Sequence, residues 1–501
     1  MILIQLNKQD FEYDLHSLVK SFYPGEDVTV CYEEPENAGE ALLKISVIYK
    51  EQEIAVRFEK DGQVVKEDTE AVEYEKNRKE TKNHLKYRVY RMLSDYTGTT
   101  LPWGTLTGIR PTKIPMALLE QGMSNRDIAD YMRKTYLISP AKTSLGISIA
   151  NRERHILRDI DYDNGYSLYV GIPFCPSICL YCSFSSSPLS VWKKKVDDYL
   201  DALCKEIAYG AEIYKERQLD TVYIGGGTPT TLEPEQLDRL LTEIKRHFDL
   251  SKVQEFTVEA GRPDCTDEEK LRIIKEYGAT RISINPQTFS DEVLRNIGRR
   301  HTAQDILDCY RTARRVGHDN INMDLIAGLP GDTVEGFRHS LQTAIDLDPE
   351  NITVHTLTLK RASNLVVEHR AADYADVAAM VESCELLEKA GYRPYYLYRQ
   401  KGTLQNLENV GWCKPGYECL YNIYIMEEVH TILSAGAGGS TKLVAPGARH
   451  GKIERIFNYK YPTEYIDRFD TILARKEGVK QFYDQYPSCG ESARPQAHGG
   501  V

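Results

Sequence analysis

The chain has 501 residues, 41% of them hydrophobic, which is long enough to bury more than one core, so we expect roughly two or three domains. Its net charge of −11 disfavours nucleic acid as a partner, because such binding requires a basic surface. No apolar run has the length of a membrane-spanning helix and the first residues lack a secretory signal pattern, so we expect a cytoplasmic protein without a membrane span.

The first part of the chain, to about residue 160, has the pattern of a separate α+β domain. A helical stretch at Val72–Thr97 follows three strand-like runs. Those runs are Val28–Glu33, Ala41–Tyr49 and Glu53–Glu59. Arg110 and Lys113 stand beside prolines and a glycine, and these two cations could bind an anion or belong to a rigid surface loop.

From about residue 166 to residue 359, short β-type runs alternate with amphipathic helical patterns. This alternation is typical of parallel βα units, and six such units predict a partial barrel. The predicted strands are Tyr166–Ile172, Leu219–Ile224, Val253–Val258, Thr280–Ile284, Asn320–Leu325 and Asn351–Leu357. Because ligands bind at the carboxyl ends of parallel strands, we expect the chemistry to lie in the loops that follow them.

A cysteine triplet, Cys175, Cys179 and Cys182, directly follows the first predicted strand with the spacing C-x3-C-x2-C. A four-iron cluster held by three thiolates keeps one iron open for a ligand. The spacing is typical of radical SAM enzymes, in which S-adenosylmethionine (SAM) occupies that iron. A zinc site and core cysteines that merely lie close in sequence are the alternatives, although no second cysteine pair follows at a spacing that suits zinc.

Polar and glycine residues follow the other strands of the predicted barrel. The run Gly225-Gly-Gly-Thr-Pro-Thr230 ends the second strand, and glycine there lets the backbone approach a ligand closely. Glu259 ends the third strand, Gln287 follows the fourth and Asp324 lies in the fifth. Because core strands seldom bury carboxylates without partners, their joint placement favours cofactor binding over separate structural roles.

The last part of the chain has the pattern of an α+β extension. It contains a predicted helix Ala371–Gly391, a strand Pro394–Tyr398 and a glycine-rich run from Ser434 to Ser440. The final residues are rich in Gly, Ser, Pro and His, which indicates disorder. The predicted division is therefore 1–160 accessory domain, 161–370 partial barrel, 371–487 C-terminal region and 488–501 disordered tail.

Residues 165–445 resemble the oxygen-independent coproporphyrinogen III oxidase family of radical SAM proteins. The resemblance is carried by Leu168-Tyr-Val-Gly-Ile-Pro-Phe-Cys175, Gly225-Gly-Gly-Thr-Pro-Thr230, Ser283-Ile-Asn-Pro-Gln-Thr-Phe289, Ile297-Gly-Arg-Arg-His301 and Asn322-Met-Asp-Leu-Ile-Ala-Gly-Leu-Pro330. The N-terminal strings Leu-Pro-Trp-Gly and Thr-Gly-Ile-Arg-Pro-Thr-Lys, together with Tyr395-Tyr-Leu-Tyr-Arg-Gln400, further resemble the dehydrogenase branch found in Firmicutes. The resemblance implies an α/β fold, a radical SAM partial (β/α)6 barrel with an N-terminal α+β domain and a C-terminal α+β extension.

The resemblance also implies roles for individual residues. Cys175, Cys179 and Cys182 would bind a [4Fe–4S] cluster, which initiates the radical reaction. The SAM on the iron would be contacted by Tyr169, Gly226, Glu259 and Ser440. A second SAM site, if one exists, would lie near Tyr181, Gly227, Thr228, Gln287, Arg299, Asp324 and Thr358.

The implied reaction converts two propionate groups of coproporphyrinogen III into vinyl groups, which makes protoporphyrinogen IX. Its implied partners are a porphyrinogen or haem-type substrate and an electron donor such as flavodoxin or ferredoxin. Arginines would be needed to hold the propionates, and the candidates by position are Arg262, Arg299, Arg393 and Arg399.

The sequence departs from the dehydrogenase branch at Phe184. Characterised dehydrogenases of the family have a fourth cysteine two residues after the third, whereas Cys-Ser-Phe resembles the haem-chaperone branch. The chaperone string His-Asn-x-x-Tyr-Trp is also missing, and Tyr421-Asn-Ile-Tyr-Ile-Met426 lies where it is expected. The sequence therefore favours the dehydrogenase and leaves a haem chaperone and a haem-modifying enzyme as alternatives.

Overall fold

The computed structural model of this protein describes residues 1–33, 35, 38–71, 77–184, 186–360, 363–367, 376–447 and 451–487. The chain forms two compact units. One contains Met1–Arg152 and Leu397–Glu408, and the other contains Glu153–Tyr396 and Asn409–Val501. The four-part division remains a prediction, but the packing places Leu397–Glu408 with the first unit and not with the C-terminal region. The predicted disordered tail, residues 488–501, lies outside the described residues.

The sheet of the first unit mixes parallel and antiparallel strands. Its strands are β1 (Ile2–Leu6), β2 (Val28–Cys31), β3 (Leu43–Tyr49), β4 (Glu53–Lys60) and β5 (Gln63–Ala71). They lie in the order β2-β1-β3-β4-β5, with β1 parallel to both of its neighbours and the last three strands antiparallel. In β4 the apolar Ile54, Val56 and Phe58 are buried and alternate with the less buried Ala55 and Arg57, as a sheet with one covered face requires. The three predicted strands are present, whereas β1 and β5 had not been predicted.

Among the described residues, five α-helices begin in the first unit, and the last of them continues past its boundary at Arg152. They are α1 (Glu12–Phe22), α2 (Arg78–Thr97), α3 (Lys113–Glu120), α4 (Asn125–Tyr136) and α5 (Pro140–Ile156). The predicted helix Val72–Thr97 therefore begins at Arg78 as far as it can be followed, because residues 72–76 lie outside the described part. Asn77 caps α2 by accepting a hydrogen bond from the backbone N–H of Glu80, and Gly98 ends this helix with φ of +69°.

The segment Leu397–Glu408 is held in the first unit by buried charges. The Glu408 carboxylate accepts hydrogen bonds from Trp103 Nε1 at 2.7 Å and from Lys142 Nζ at 2.5 Å. Arg399 donates from Nη1 to the Leu106 carbonyl at 2.6 Å. Arg399, which was a candidate for holding a propionate, is therefore buried among backbone carbonyl groups of the first unit.

The second unit is built on a sheet of eleven strands among the described residues. Its strand order is β14-β15-β13-β12-β11-β10-β9-β6-β16-β17-β18. These strands, with the short pair β7 and β8 beside them, are β6 (Gly165–Ile172), β7 (Phe174–Cys175), β8 (Ser187–Pro188), β9 (Gln218–Gly226), β10 (Glu255–Glu259), β11 (Arg281–Ser283), β12 (Ile321–Ala327), β13 (Asn351–Thr356), β14 (Arg393–Tyr398), β15 (Asn409–Cys413), β16 (Thr431–Ala435), β17 (Ser440–Val444) and β18 (Ile453–Phe457).

The six predicted barrel strands are β6 and β9 to β13, and each is parallel to the next. Strand β16 extends this parallel set on the other side of β6, and β17 and β18 continue it in antiparallel fashion. The β6, β9 and β10 strands are mostly buried, and their central residues, such as Phe256-Thr-Val258 in β10, are apolar or β-branched.

Helices connect the parallel strands as crossovers and pack their apolar faces on the sheet. In α8 these apolar residues are Leu237, Leu240, Leu241 and Ile244, which recur at helical spacing. The helices of this unit are α6 (Leu189–Trp192), α7 (Val196–Ile213), α8 (Pro234–His247), α9 (Glu268–Glu276), α10 (Asp291–Asn296), α11 (Ala303–Val316), α12 (Val334–Asp346), α13 (Asn364–Val367), α14 (Val377–Glu382), α15 (Glu385–Lys389), α16 (Leu420–Glu427), α17 (Pro462–Asp467) and α18 (Phe469–Gln485). The single helix predicted over 371–391 is two short helices, α14 and α15, in its described part.

Candidate functional site

The three cysteines lie in one loop that begins at the end of β6. Cys175 is the last residue of β7, and Cys179 and Cys182 lie between β7 and β8. The loop is closed at its base, because β7 and β8 pair in parallel and the Ser187 N–H donates to the Pro173 carbonyl at 2.7 Å. Cys179 is buried, whereas Cys175 and Cys182 are partly exposed. The loop thus presents three thiols at the carboxyl end of the parallel sheet, where ligands of such sheets bind.

Burial raises the pKa of the Cys175 thiol to about 12 and also raises the pKa of Cys182, and the neighbouring cysteines contribute to both shifts. Metal binding requires thiolates, so loading of this loop would release protons. Within the described residues, no three His, Cys, Asp or Glu side chains are arranged to hold a single metal ion. Three soft sulfur donors on a single loop fit a cluster of several iron atoms, in which three irons each take one thiolate.

The glycine turn after β9 is joined by backbone hydrogen bonds to the segment that leads into the cysteine loop. The Gly227 N–H donates to the Ile172 carbonyl and the Thr228 N–H to the Phe174 carbonyl, both at 2.7 Å. A Cβ on Gly227 would lie only 2.5 Å from the Phe174 carbonyl oxygen, so only glycine fits this approach. The Thr228 hydroxyl lies 3.6 Å from Cys175 Sγ. Of the predicted residues, Thr228 therefore contacts a cysteine, and Gly227 is bonded to the strand that leads to it.

Glu259 lies at the end of β10 with its carboxylate against this turn. Tyr223 donates its hydroxyl to Glu259 Oε1 at 2.5 Å, and a Cβ on Gly225 would meet the same carboxylate at 2.8 Å. Burial raises the pKa of Glu259 to about 7, and the charge of Asp324 adds to this effect, while hydrogen bonds from Tyr223 and Gly226 oppose it. A carboxyl group with a pKa raised in this way readily loses its proton and becomes negatively charged when a cation binds next to it.

Three tyrosine rings stack beside Glu259. Tyr169 is nearly parallel to Tyr223, with ring centroids 6.2 Å apart, and Tyr223 stacks on Tyr421 at 4.5 Å. Burial raises the pKa of Tyr169, and the Glu259 charge raises it further, so the ring stays neutral. The stack forms an apolar wall with hydroxyl groups at its edge, next to the only predicted carboxylate of the first SAM site.

Tyr181, Gln287 and Arg299 form one hydrogen-bonded network. The Tyr181 hydroxyl donates to Gln287 Oε1 at 2.9 Å and lies 3.2 Å from Arg299 Nη2, which donates to it. Gln287 has φ of +67°, a strained conformation for a residue with a side chain, and its N–H donates to the Asp324 carbonyl at 2.8 Å. Strain of this kind is common at ligand sites. The structure thus brings together four of the residues predicted for a second SAM site.

The Asp324 carboxylate is held by neighbouring strands. Burial alone would raise the pKa of Asp324, but hydrogen bonding and charge from His355 outweigh it, and the Asn322 amide and Arg281 lower it further. The Asn322 amide donates to Asp324 Oδ1 at 2.8 Å, and His355 Nε2 lies 3.7 Å from Asp324 Oδ2. Asp324 is therefore a stable anion within the unit.

Two further predicted residues are associated with the strands β13 and β17. Thr358 lies beyond the end of β13, and its hydroxyl donates to the Thr356 carbonyl at 3.3 Å. Ser440 is the first residue of β17, where it pairs with Phe457 of β18. The glycine-rich run before Ser440 does approach the site, because a Cβ on Gly436 would lie 2.5 Å from the Gly171 carbonyl oxygen. The roles of Thr358 and Ser440 remain predictions.

A buried carboxylate on α7 holds this glycine-rich run in place. Glu206 accepts from the Gly436 N–H at 2.8 Å, from Asn458 Nδ2 at 2.7 Å and from the Tyr465 hydroxyl, and Lys476 Nζ lies 3.1 Å away. The Glu206 side chain is completely buried, so its charge depends on these partners for its balance. This role of Glu206 could not be predicted from the sequence, because its four partners come from segments far along the chain.

The arginines proposed for propionate binding are mostly engaged by the protein itself. Arg262 pairs with Asp264 through two hydrogen bonds, and Arg299 donates from Nη1 to the Asn285 carbonyl at 2.6 Å. Arg393 is exposed and donates to the carbonyls of Glu388 and Tyr392. The tyrosine stack was not predicted from the sequence. The pairing of Arg262 with Asp264 could have been predicted, because the two opposite charges stand two residues apart in the string Glu259-Ala-Gly-Arg-Pro-Asp264.

Residues 169–344 match the family model described as the Radical SAM superfamily. This match gives the class of protein that the cysteine loop and the parallel sheet define. The chain is 39% identical to the "Oxygen-independent coproporphyrinogen-III oxidase-like protein HemZ" of Bacillus subtilis, over 92% of this chain and 94% of the relative. It therefore belongs to the family of oxygen-independent coproporphyrinogen-III oxidase-like proteins within that superfamily.

Two further similarities concern the haem-chaperone relatives and the fold. The "Heme chaperone HemW" of Bacillus subtilis is 42% identical over 66% of this chain and 85% of its own length. The solved structure of coproporphyrinogen III oxidase (HemN) from Escherichia coli superposes with a TM-score of 0.52 at 24% identity, over 62% of this chain and 70% of that one, which supports the fold.

The comparisons confirm the predicted family and the predicted α/β radical SAM fold class. They also support the prediction that the protein is a radical SAM oxidoreductase. Proteins of this superfamily generally use a [4Fe–4S] cluster and SAM. In the part of the chain that the structure describes, no helix combines the length and the apolar character needed to cross a membrane.

Proposed function

We propose that this protein carries out the oxidative decarboxylation of coproporphyrinogen III to protoporphyrinogen IX, with a [4Fe–4S] cluster and SAM as cofactors. The observation that carries the proposal is the joint placement of the three cysteines, the Gly226–Thr228 turn and Glu259 at one end of the parallel sheet. The similarity to HemZ over nearly the whole chain supports the choice of substrate.

In this proposal Cys175, Cys179 and Cys182 hold the cluster through their thiolates. The bound cofactors supply a radical strong enough to remove a hydrogen atom from an unactivated carbon. The Glu259 carboxylate would bind the amine of SAM, and Gly226, whose φ is +107° and whose absent Cβ would lie 3.2 Å from the Tyr169 hydroxyl, would let the ligand approach the backbone closely. The stacked rings of Tyr169 and its neighbours exclude water from this wall of the site.

Each propionate would lose a hydrogen atom from its β-carbon, carbon dioxide and one further electron, which passes to an electron acceptor. Arg299 is the candidate for orienting a carboxylate, because it is buried beside Tyr181 and its Nε has no hydrogen-bond partner among the described residues. An electron donor such as flavodoxin or ferredoxin belongs to the same proposal, because the cluster must be reduced before it can start the reaction.

The test is a single anaerobic turnover experiment. The reconstituted and reduced protein is mixed with SAM and coproporphyrinogen III, and we expect 5′-deoxyadenosine together with a product that carries vinyl groups. A Cys182→Ala variant should give neither product, whereas a variant at the exposed Arg272, Arg272→Met, should give both. Formation of 5′-deoxyadenosine without decarboxylation, repeated with several porphyrinogens, would overturn the choice of substrate.

A haem chaperone is the second candidate, and one specific observation favours it. Phe184 takes the place of the fourth cysteine of characterised dehydrogenases, and 75% of its surface is exposed beside the cysteine loop. The identity of 42% to HemW of Bacillus subtilis supports the same candidate. A chaperone would bind haem at a one-to-one ratio and make no vinyl product. Haem titration, followed by absorbance on the preparation used for turnover, distinguishes the two functions.

A further inference from the structure

The guanidinium of Arg262 lies against the most buried of the three cysteines. Its Nη1 donates to Cys179 Sγ at 3.7 Å, which is within reach of a hydrogen bond to sulfur. The same nitrogen donates to the Ser177 carbonyl at 3.0 Å and to the Ser177 hydroxyl at 3.1 Å. Arg262 therefore contacts the cysteine loop at two of its residues, and the Arg262 side chain is buried.

Asp264 fixes the orientation of this guanidinium from the opposite side. The pair is bidentate, with Nε donating to Oδ1 at 2.9 Å and Nη2 donating to Oδ2 at 2.6 Å. His301 Nδ1 lies 3.5 Å from the same carboxylate. A planar arginine fork held in this way points a fixed N–H group at its target, which a lysine does not reproduce.

All three nitrogens of Arg262 are thus engaged by the protein. Binding a substrate carboxylate would require the pair with Asp264 or the contacts with Ser177 to break. A purely structural ion pair would account for the Asp264 contacts alone and would not need the third nitrogen to reach Cys179. In this arrangement Asp264 orients the guanidinium, and the guanidinium directs a positively charged N–H donor at a thiol of the triplet.

We propose that Arg262 is a positioning residue that holds Cys179 in place and raises the reduction potential of a cluster bound by the triplet. This inference rests on the proposed binding of a cluster but not on the identity of the substrate. Reduction adds a negative charge to the cluster, and a positive hydrogen-bond donor at a ligand sulfur stabilises the reduced state. Without the guanidinium, the same cluster takes up an electron less readily.

The experiment compares Arg262→Met and Arg262→Lys with wild type and with the exposed control Arg272→Met. Each protein is reconstituted anaerobically, its iron content is measured, and the cluster is titrated with redox mediators while the reduced form is followed by electron paramagnetic resonance. At the wild-type midpoint potential, the ratio of reduced to oxidised cluster should fall about tenfold in Arg262→Met, which is a shift of ~59 mV for one electron. In Arg262→Lys this ratio should fall less, and in Arg272→Met it should equal the wild-type ratio.

An Arg262→Met protein that holds four irons with the wild-type midpoint would overturn the inference. If this variant binds no cluster, Asp264→Asn decides, because it removes the counter-charge and keeps the cation. We expect its midpoint to rise, and an unchanged or lower midpoint would overturn the inference. Failure of wild type to bind a cluster would instead refute the proposed function, and a correct arginine effect without a vinyl product would refute only the substrate.

Discussion

The carboxyl group of Glu259 makes the stability of the metal-free protein depend on pH. Burial, with the charge of Asp324, raises its pKa from 4.5 to about 7, so the folded state keeps this proton to a higher pH than the unfolded chain. The contribution of Glu259 to the free energy of unfolding therefore falls as the pH rises from 4.5 to about 7. Glu259→Gln removes this loss, which amounts to up to ~3 kcal/mol.

Urea unfolding of the metal-free protein at about pH 5 and about pH 7.5 measures this effect. The stability of Glu259→Gln relative to wild type should increase between the two pH values, while Glu235→Gln, at an exposed position, should follow wild type. If Glu259→Gln keeps the pH dependence of wild type, the carboxyl group is not buried as the structure has it.

Each cysteine of the triplet should be necessary for the cluster. Replacement of Cys175, Cys179 or Cys182 by Ala removes one thiolate ligand, so we expect loss of the brown, oxygen-sensitive chromophore after anaerobic reconstitution. Cys413→Ala is the control, because this cysteine does not belong to the triplet and is completely buried in β15. It should keep the cluster. Iron analysis and absorbance measure the result. A variant without all three cysteines that still binds four irons would contradict the assignment.

At the scale of elements, the glycine turn after β9 should tolerate no side chain at Gly227. A Cβ there would lie 2.5 Å from the Phe174 carbonyl oxygen and 2.8 Å from that of Ile172, and backbone atoms cannot move aside easily. Gly227→Ala should weaken SAM binding about tenfold or more, which is ~1.4 kcal/mol. Anaerobic calorimetry measures the affinity. Gly108→Ala is the control, because a Cβ there meets nothing within 4 Å, and equal affinities in both variants would count against the turn as a binding element.

The clamp that Glu206 forms between α7 and the C-terminal elements should be a large source of stability. Glu206→Ala leaves Lys476 buried without its carboxylate and removes the acceptor of the Gly436 N–H. We expect the free energy of unfolding to fall by about 3–5 kcal/mol. Urea unfolding compares this variant with Glu212→Ala, which removes an exposed carboxylate from the same helix. A loss below ~1 kcal/mol, the usual worth of an exposed pair, would contradict the clamp.

At the scale of the whole molecule, the first unit includes one segment from late in the chain, Leu397–Glu408. Its anchor is the completely buried Glu408 side chain, which pairs with Lys142 and accepts from Trp103. Glu408→Ala should therefore weaken the folding of Leu397–Glu408 onto this unit by about 3 kcal/mol. Hydrogen exchange read by mass spectrometry should show faster exchange in this segment and unchanged exchange in β6. Glu51→Ala, at an exposed position, is the control, and unchanged protection in the segment would contradict the anchor.

Local patterns in the sequence determined the chemistry of the site and most of its scaffold. The cysteine triplet, the glycine turn and Glu259 each come at or just after the end of a strand. Each of these strands is recognisable from its apolar and β-branched residues. Each feature lies within a few residues of its strand, so its position at the carboxyl end of the sheet could be predicted. The strands β1 and β5 could not, because β1 is a short run at the start of the chain and β5 has mostly polar, exposed residues.

Only the tertiary structure decided which distant side chains meet. Arg262 reaches Cys179, Tyr421 stacks on Tyr223, and Glu408 pairs with Lys142, although their separations in sequence are large. Such contacts depend on the order of the strands and on the packing of the connecting helices, which no single stretch of sequence encodes. Local sequence therefore determined which side chains follow each strand, and the packing within each compact unit determined which distant side chains become their partners and which groups are buried.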